Sequence, residues 1–120
     1  MKIFVTHATK SNFQEELYKP LRESSLNKNH EIYLPQEHGR KTITKEFVQS
    51  CDLIIAESSF PSTGQGIELG WADIYEIPIL CISKKGIEPS RALQYVTRSF
   101  ASYEDGEDMI KQIEMFIRTV

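Results

Sequence analysis

A chain of 120 residues with 40% hydrophobic and 26% charged side chains carries apolar material for one globular core and is too short for two. A formal charge of -3, with no basic run longer than "SKK" or "GRK", leaves no electrostatic footprint for a nucleic-acid polymer. The apolar runs are too short to span a bilayer, and "MKIFVTHATK" lacks the apolar stretch and small-residue cleavage site of a secretion signal, so a cytoplasmic location with no membrane partner is expected.

"KIFVT" at residues 2–6 is a short β-rich run. Ser11 with Gln14 three positions on gives a capping-box signature around Phe13, Leu17 and Leu21 at i, i+4 spacing, which predicts strand then helix. Pro20 falls inside that pattern and predicts a kink or an early end, and "LNKNH" reads as the exit loop before a second strand, "EIYL", stopped by Pro35. Ile43, Phe47 and Val48 mark a helix, after which "DLIIAE" is the continuous apolar run of a strand buried on both faces of a parallel sheet. A helix from about Thr63 to Tyr75 carries Ile67, Gly70, Trp71 and Ile74 on one stripe and leads to "IPILCIS", another buried strand. "SRALQYV" reads as a short helix and "FASYED" as a fifth, edge strand, while Met109, Ile110, Ile113, Phe116 and Ile117 make the last helix amphipathic. The alternation, with no repeat and no linker, predicts a single doubly wound α/β sandwich over residues 1–120 with a mostly parallel sheet of about five strands.

In such a sheet ligands bind outside the carboxyl ends of the strands, which singles out the segments "HATKSN", "PQEHGRK", "SSFPSTGQG" and "KKGIEPSR". The third is the most informative. Ser62, Thr63, Gly64 and Gly66 supply a capping hydroxyl and exposed N–H groups at a helix N-terminus, where an anion is favoured. Glu68 then lies in the first turn or so, where the helix dipole is expected to keep its carboxylate ionised. The same pattern also fits a glutamate that only complements the dipole, with Gly66 and Gly70 allowing tight packing of the helix on the sheet.

"CDLIIAESSFPSTGQGIELGWA" resembles the corresponding segment of the nucleoside 2-deoxyribosyltransferases and the related 2'-deoxynucleoside 5'-phosphate N-hydrolases, in which an apolar strand beginning with Asp leads into a Ser-x-Gly-x-Gly-x-Glu-x-Gly helix start. The likeness extends more loosely over most of the chain. It implies a flavodoxin- or Rossmann-like fold, a small nucleoside or nucleotide as ligand, no cofactor, and a homodimer that completes each pocket with a neighbouring subunit. It also implies Glu68 as a nucleophile on the anomeric carbon, forming a covalent glycosyl-enzyme, with Ser62 and the backbone of Gly64 and Gly66 near the 5' end of the ligand. Water as acceptor makes such a protein a hydrolase and a second base makes it a transferase. The chain departs from the family at Thr44, where an aspartate is usual, and at Phe4, where a tyrosine is common. Glu37 or Glu46 is then a candidate proton source, Glu46 being equally a solvated helix-face charge. Those departures keep open a non-catalytic nucleotide-binding module, and glutamate-dependent chemistry also admits cleavage of the nicotinamide-ribose bond of NAD.

Other polar residues are candidates for binding. Thr6, His7 and Lys10 follow the first strand, with Lys10 suited to a phosphate as a point charge and His7 equally read as a loop histidine. His38 can hydrogen-bond or stack on a base, or sit exposed in a turn before Gly39. Ser90 and Arg91 either meet a phosphate across a dimer contact, as the resemblance suggests, or open a surface helix. The three histidines lack metal-ligand spacing and no Cys-x-x-Cys occurs, so no metal site is expected; Cys51 and Cys81 read as buried free thiols.

Overall fold

The structure, a computed structural model, describes all residues from Met1 to Val120. Five strands, β1 (Lys2–His7), β2 (Glu31–Tyr33), β3 (Leu53–Glu57), β4 (Ile79–Lys84) and β5 (Phe100–Tyr103), form one parallel sheet in the order β2-β1-β3-β4-β5. The helices are α1 (Lys19–Arg22), α2 (Ser25–Asn29), α3 (Lys45–Gln49), α4 (Thr63–Ile74) and α5 (Gly106–Ile117), with a 3-10 turn at Arg91–Tyr95. The chain winds outward in one direction from β1 to β2 and in the other through β3, β4 and β5. The order therefore reverses between β1 and β3, and a crevice opens at that switch point. The predicted doubly wound sandwich is the observed one.

Period-2 alternation along the strands sorts the core into two layers. Ile3, Val5, Leu53, Ile55, Leu80 and Ile82 face Leu17, Tyr18, Leu21, Leu26, Met109 and Ile113. Phe4, Ile54, Ala56, Ile79 and Cys81 face Val48, Leu69 and Ala72. The same alternation turns Thr6 toward α4 and His7 toward Tyr18. Leu69 is 1% exposed, and burying such a side chain contributes about 2 kcal/mol, which docks α4 on the sheet just beyond the crevice. Both cysteines are buried and free, and no helix is long and apolar enough to cross a membrane.

Two local expectations need correction, and a third takes a specific form. Ser11 and Gln14 form no capping box. The Ser11 hydroxyl donates to the Ala8 carbonyl, the Gln14 side chain donates to the Gln36 carbonyl, and Phe13 precedes the first helical turn with no side-chain cap. Pro20 disturbs the helix as its position predicts: it is preceded by a π-helical turn, Gln14–Tyr18, in which the Lys19 N–H reaches the Gln14 carbonyl five residues back, and the helix ends two residues after it at Arg22. A proline cannot donate to the carbonyl four residues before it, and the wider turn accommodates its ring. "LNKNH" is mostly helical rather than loop, because Leu26 alone anchors α2 to the core, and one apolar residue produces no readable period.

Candidate active site

A cleft of about 540 Å³ opens at the carboxyl ends of β1 and β3. Thr6 and His7 come from β1; Ser62, Gly64, Gln65 and Glu68 from the start of α4; Gln36, Arg40, Lys41 and Thr42 from the segment after β2. Thr9 and Pro35 complete a lining that is polar apart from the proline ring, and Glu68 is its one carboxylate.

Each wall has a local cause. Ser62 has extended backbone and its hydroxyl accepts from the Gln65 N–H at 3.3 Å, so α4 starts as the sequence predicts. The Thr63 and Gly64 N–H groups, in the first turn, have no carbonyl partner within the helix. The Gln65 side chain, 4% exposed, donates to the Thr6 carbonyl at 3.2 Å and the Glu57 carbonyl at 2.9 Å, tying the ends of β1 and β3 to the helix start. Across the cleft, the Arg22 guanidinium forms a two-pronged pair with Glu37 at 2.8 Å on each oxygen, which anchors the segment after β2 to α1.

Glu68 lies in the second turn of α4, half-buried, where its Oε1 accepts a 2.6 Å hydrogen bond from the Thr6 hydroxyl. Burial raises its pKa above the ordinary glutamate value, and the Thr6 bond offsets part of that rise. The net shift runs opposite to the stabilisation expected from the helix end, because the dipole acts within the first turn and Glu68 lies beyond it, where desolvation is the larger cause. The folded state thus holds the Glu68 proton more tightly than the unfolded chain does. The ionised side chain weakens folding above its folded pKa, and the penalty fades as pH falls through that value toward the unfolded one. Glu68→Gln, which still accepts from Thr6, is therefore expected to melt above the wild type at pH 8 and to converge with it near pH 4 in thermal scans; a variant melting lower at pH 8 would contradict this.

His7 lines the cleft, but both its ring nitrogens are engaged inside the protein. Nδ1 lies 2.9 Å from the Ala8 carbonyl, which only accepts, so Nδ1 carries the proton; Nε2 then accepts from the Tyr18 hydroxyl at 2.6 Å, and the Gln36 N–H donates to the Tyr18 oxygen at 3.0 Å. Burial lowers the His7 pKa, in keeping with a neutral ring. His7 is a framework residue of the cleft floor rather than a free ligand contact.

The structure brings Thr6, His7, Ser62, Gly64 and Glu68 to one cleft and leaves the other sequence-predicted residues outside it. Gly66 and Ser90 line a neighbouring depression with Thr63, on the far side of the "SSFPST" loop. Lys10 is exposed and not part of the cleft wall. His38 is exposed beside Glu37, and Arg91 is exposed at the 3-10 turn, where the Ser90 hydroxyl accepts from the Ala92 N–H at 3.4 Å, as a surface helix start would. Neither candidate proton source serves: Glu37 is held by Arg22, which lowers its pKa, and Glu46 is exposed on α3. Thr44 caps α3 by accepting from the Phe47 N–H at 3.1 Å. Phe4 is fully buried against Phe47 and Tyr33, away from the cleft.

Gln36, Arg40, Lys41, Thr42 and Gln65 join the cleft without having been singled out. "GRK" carried the one available signal, a basic pair in a segment after a strand, but is too short to register as a nucleic-acid patch. A second surprise is Glu57, 5% exposed, which accepts from the Ser59 N–H at 2.8 Å, the Ser59 hydroxyl at 2.9 Å and the Tyr103 hydroxyl. Its carboxylate faces β5 and braces the loop behind the cleft.

Neither a protein-family model nor a curated protein sequence matches the chain. Solved structures do. The chain is similar to the CMP N-glycosidase of Clostridium botulinum at 22% identity and a TM-score of 0.64, over 95% of this chain and 99% of that one. It is also similar to a conserved protein of Enterococcus faecalis at 18% identity and a TM-score of 0.63, over 97% and 98% of the two chains. Identities of this size show a shared fold along essentially the whole chain.

Proposed function

We propose that this protein cleaves the base-sugar bond of a small nucleoside or nucleotide, with Glu68 as the nucleophile. The observation that carries the reading is that Glu68 is the single carboxylate on the cleft, oriented by Thr6 at the switch point of the sheet. The similarity to a CMP N-glycosidase over nearly the full length of both chains supports it. Glu68 attacks the anomeric carbon, the base departs, and water or a second base releases the sugar from the glutamyl ester, giving hydrolase or transferase activity. The Thr63 and Gly64 amides and the α4 dipole favour an anionic group near Ser62, which suits a 5'-phosphate.

The glycines fit this reading better than the packing alternative. A Cβ built at Gly64, Gly66 or Gly70 meets nothing within 4 Å, so this chain's own packing does not require glycine at these positions. The space serves a ligand at Gly64 and a neighbouring subunit further along α4. Ile67 (52% exposed) and Ile74 (77% exposed) stand with half-buried Trp71 on one face of that helix, an apolar stripe that a second copy of the chain would cover. The wild type is expected to sediment as a dimer and Ile74→Glu as a monomer with reduced turnover; a monomeric wild type would remove the shared-site account.

The deciding experiment is chromatographic. Wild type and Glu68→Ala are incubated with deoxynucleosides, deoxynucleoside 5'-monophosphates, ribonucleotides and NAD, with and without an added free base. Base release by the wild type alone supports the reading, and base exchange identifies a transferase. Thermal stabilisation by a panel member without turnover would replace it with a nucleotide-binding module.

A further inference from the structure

The cleft offers an unusual set of groups for breaking an N-glycosidic bond. Glu68 is its only carboxylate. The neutral His7 ring has both nitrogens engaged, Glu37 is committed to Arg22, and Glu57 is buried beneath Ser59 and Tyr103. Within the chain, no second carboxylic acid and no free imidazole lines the cleft to protonate a departing base. Arg40 and Lys41, by contrast, line the cleft from the segment after β2, and neither forms an ion pair within the chain.

From this we infer that the base leaves as an anion stabilised by Arg40 and Lys41, so that the substrates are those whose base spreads the departing charge onto a carbonyl oxygen, as an oxopyrimidine does. The inference rests on the proposed glycosidase activity and specifies its leaving group. A Glu68 oxygen forms a bond to C1' as the C1'–N bond breaks; the electron pair of that bond stays on the ring nitrogen and delocalises onto the adjacent carbonyl. The base anion takes a proton from solvent after departure. Water then attacks C1', restoring the Glu68 carboxylate and releasing one proton, so that hydrolysis balances. Two cations facing the developing negative charge act as an oxyanion hole does, their attraction strengthening as the bond breaks.

The test is a leaving-group series on the full-length protein: 5-substituted 2'-deoxyuridines and their 5'-monophosphates, ordered by the acidity of the free base. The series is cleaved by wild type, Arg40→Gln, Lys41→Gln and Lys41→Arg. In the wild type, log kcat/KM is expected to climb steeply with acidity. Each Gln variant should lose on the order of 100-fold on the most basic leaving group and only a few-fold on the most acidic, with Lys41→Arg close to wild type. Equal losses along the series would place the two cations on the phosphate and overturn the inference. So would a wild-type rate indifferent to base acidity, or a Lys41→Arg as slow as Lys41→Gln, which would make Lys41 a proton donor. Base release that survives Glu68→Ala or is absent throughout would instead remove the glycosidase reading itself, and the inference with it.

Discussion

Glu68→Ala is expected to reduce base release by at least about 10³-fold, because removing a covalent nucleophile removes the pathway rather than a contact to the transition state. The fold should survive. Glu68 is half-buried with one hydrogen bond, from a Thr6 hydroxyl at the cleft edge, and the helix that carries it is held to the sheet by the fully buried Leu69 and Ala72. Steady-state assays on a variant with an unchanged far-ultraviolet dichroism spectrum separate chemistry from folding. Rates within about tenfold of wild type would show that Glu68 is not the nucleophile. The acid limb of kcat/KM carries a second signature: since burial raises the Glu68 pKa, its midpoint should lie above the ordinary glutamate value.

Phe4→Ala is the substitution with the largest expected effect on stability. Phe4 is 0% exposed at the centre of the α3/α4 layer, edge-on to Phe47 with ring centroids 5.5 Å apart and tilted against Tyr33 at 6.1 Å. Truncation removes the ring and leaves a cavity beneath α3, at a cost of about 3–5 kcal/mol, or roughly 10–20 °C in melting temperature for a domain of this size. A fall of less than about 1 kcal/mol in urea titration would mean that the layer collapses onto the gap. The result bears on function as well, since α3 follows the segment that carries Arg40, Lys41 and Thr42 into the cleft.

The sheet was legible because its strands are continuous apolar runs bounded by polar segments. "DLIIAE" and "IPILCIS" admit few other readings, and the edge strand "FASYED" shows its exposure in its polar positions. The doubly wound class followed from alternation, whereas the strand order is set by long-range pairing. Ser62 was legible as a cap because capping is local. The cleft was half legible for the same reason: Thr6, Ser62, Gly64 and Glu68 lie where a strand ends or a helix begins, and strand ends locate ligand sites in this architecture.

What escaped the sequence depends on partners far along the chain. Gln65 looks like an ordinary first-turn polar residue until its amide is seen bonded to Thr6 and Glu57, 59 and 8 positions away. Glu57 is indistinguishable from a strand-end surface charge without Tyr103, 46 positions on. Arg40 and Lys41 gain meaning only from a segment anchored by Arg22 to Glu37, 15 positions apart. The direction of the Glu68 pKa shift was not legible because dipole position can be read from spacing, whereas desolvation is a property of the assembled cleft.

The most direct test of Glu68 as a covalent nucleophile is the stereochemistry of the trapped product. A cleaved deoxynucleoside or its 5'-monophosphate is incubated with the wild type in dilute methanol, and the methyl glycoside, which cannot mutarotate, is examined by proton NMR. Two successive displacements at C1' through a glutamyl ester predict a methyl glycoside of the same β configuration as the substrate. An α-methyl glycoside would mean a single displacement by the acceptor, with Glu68 at most orienting it, and would contradict the account.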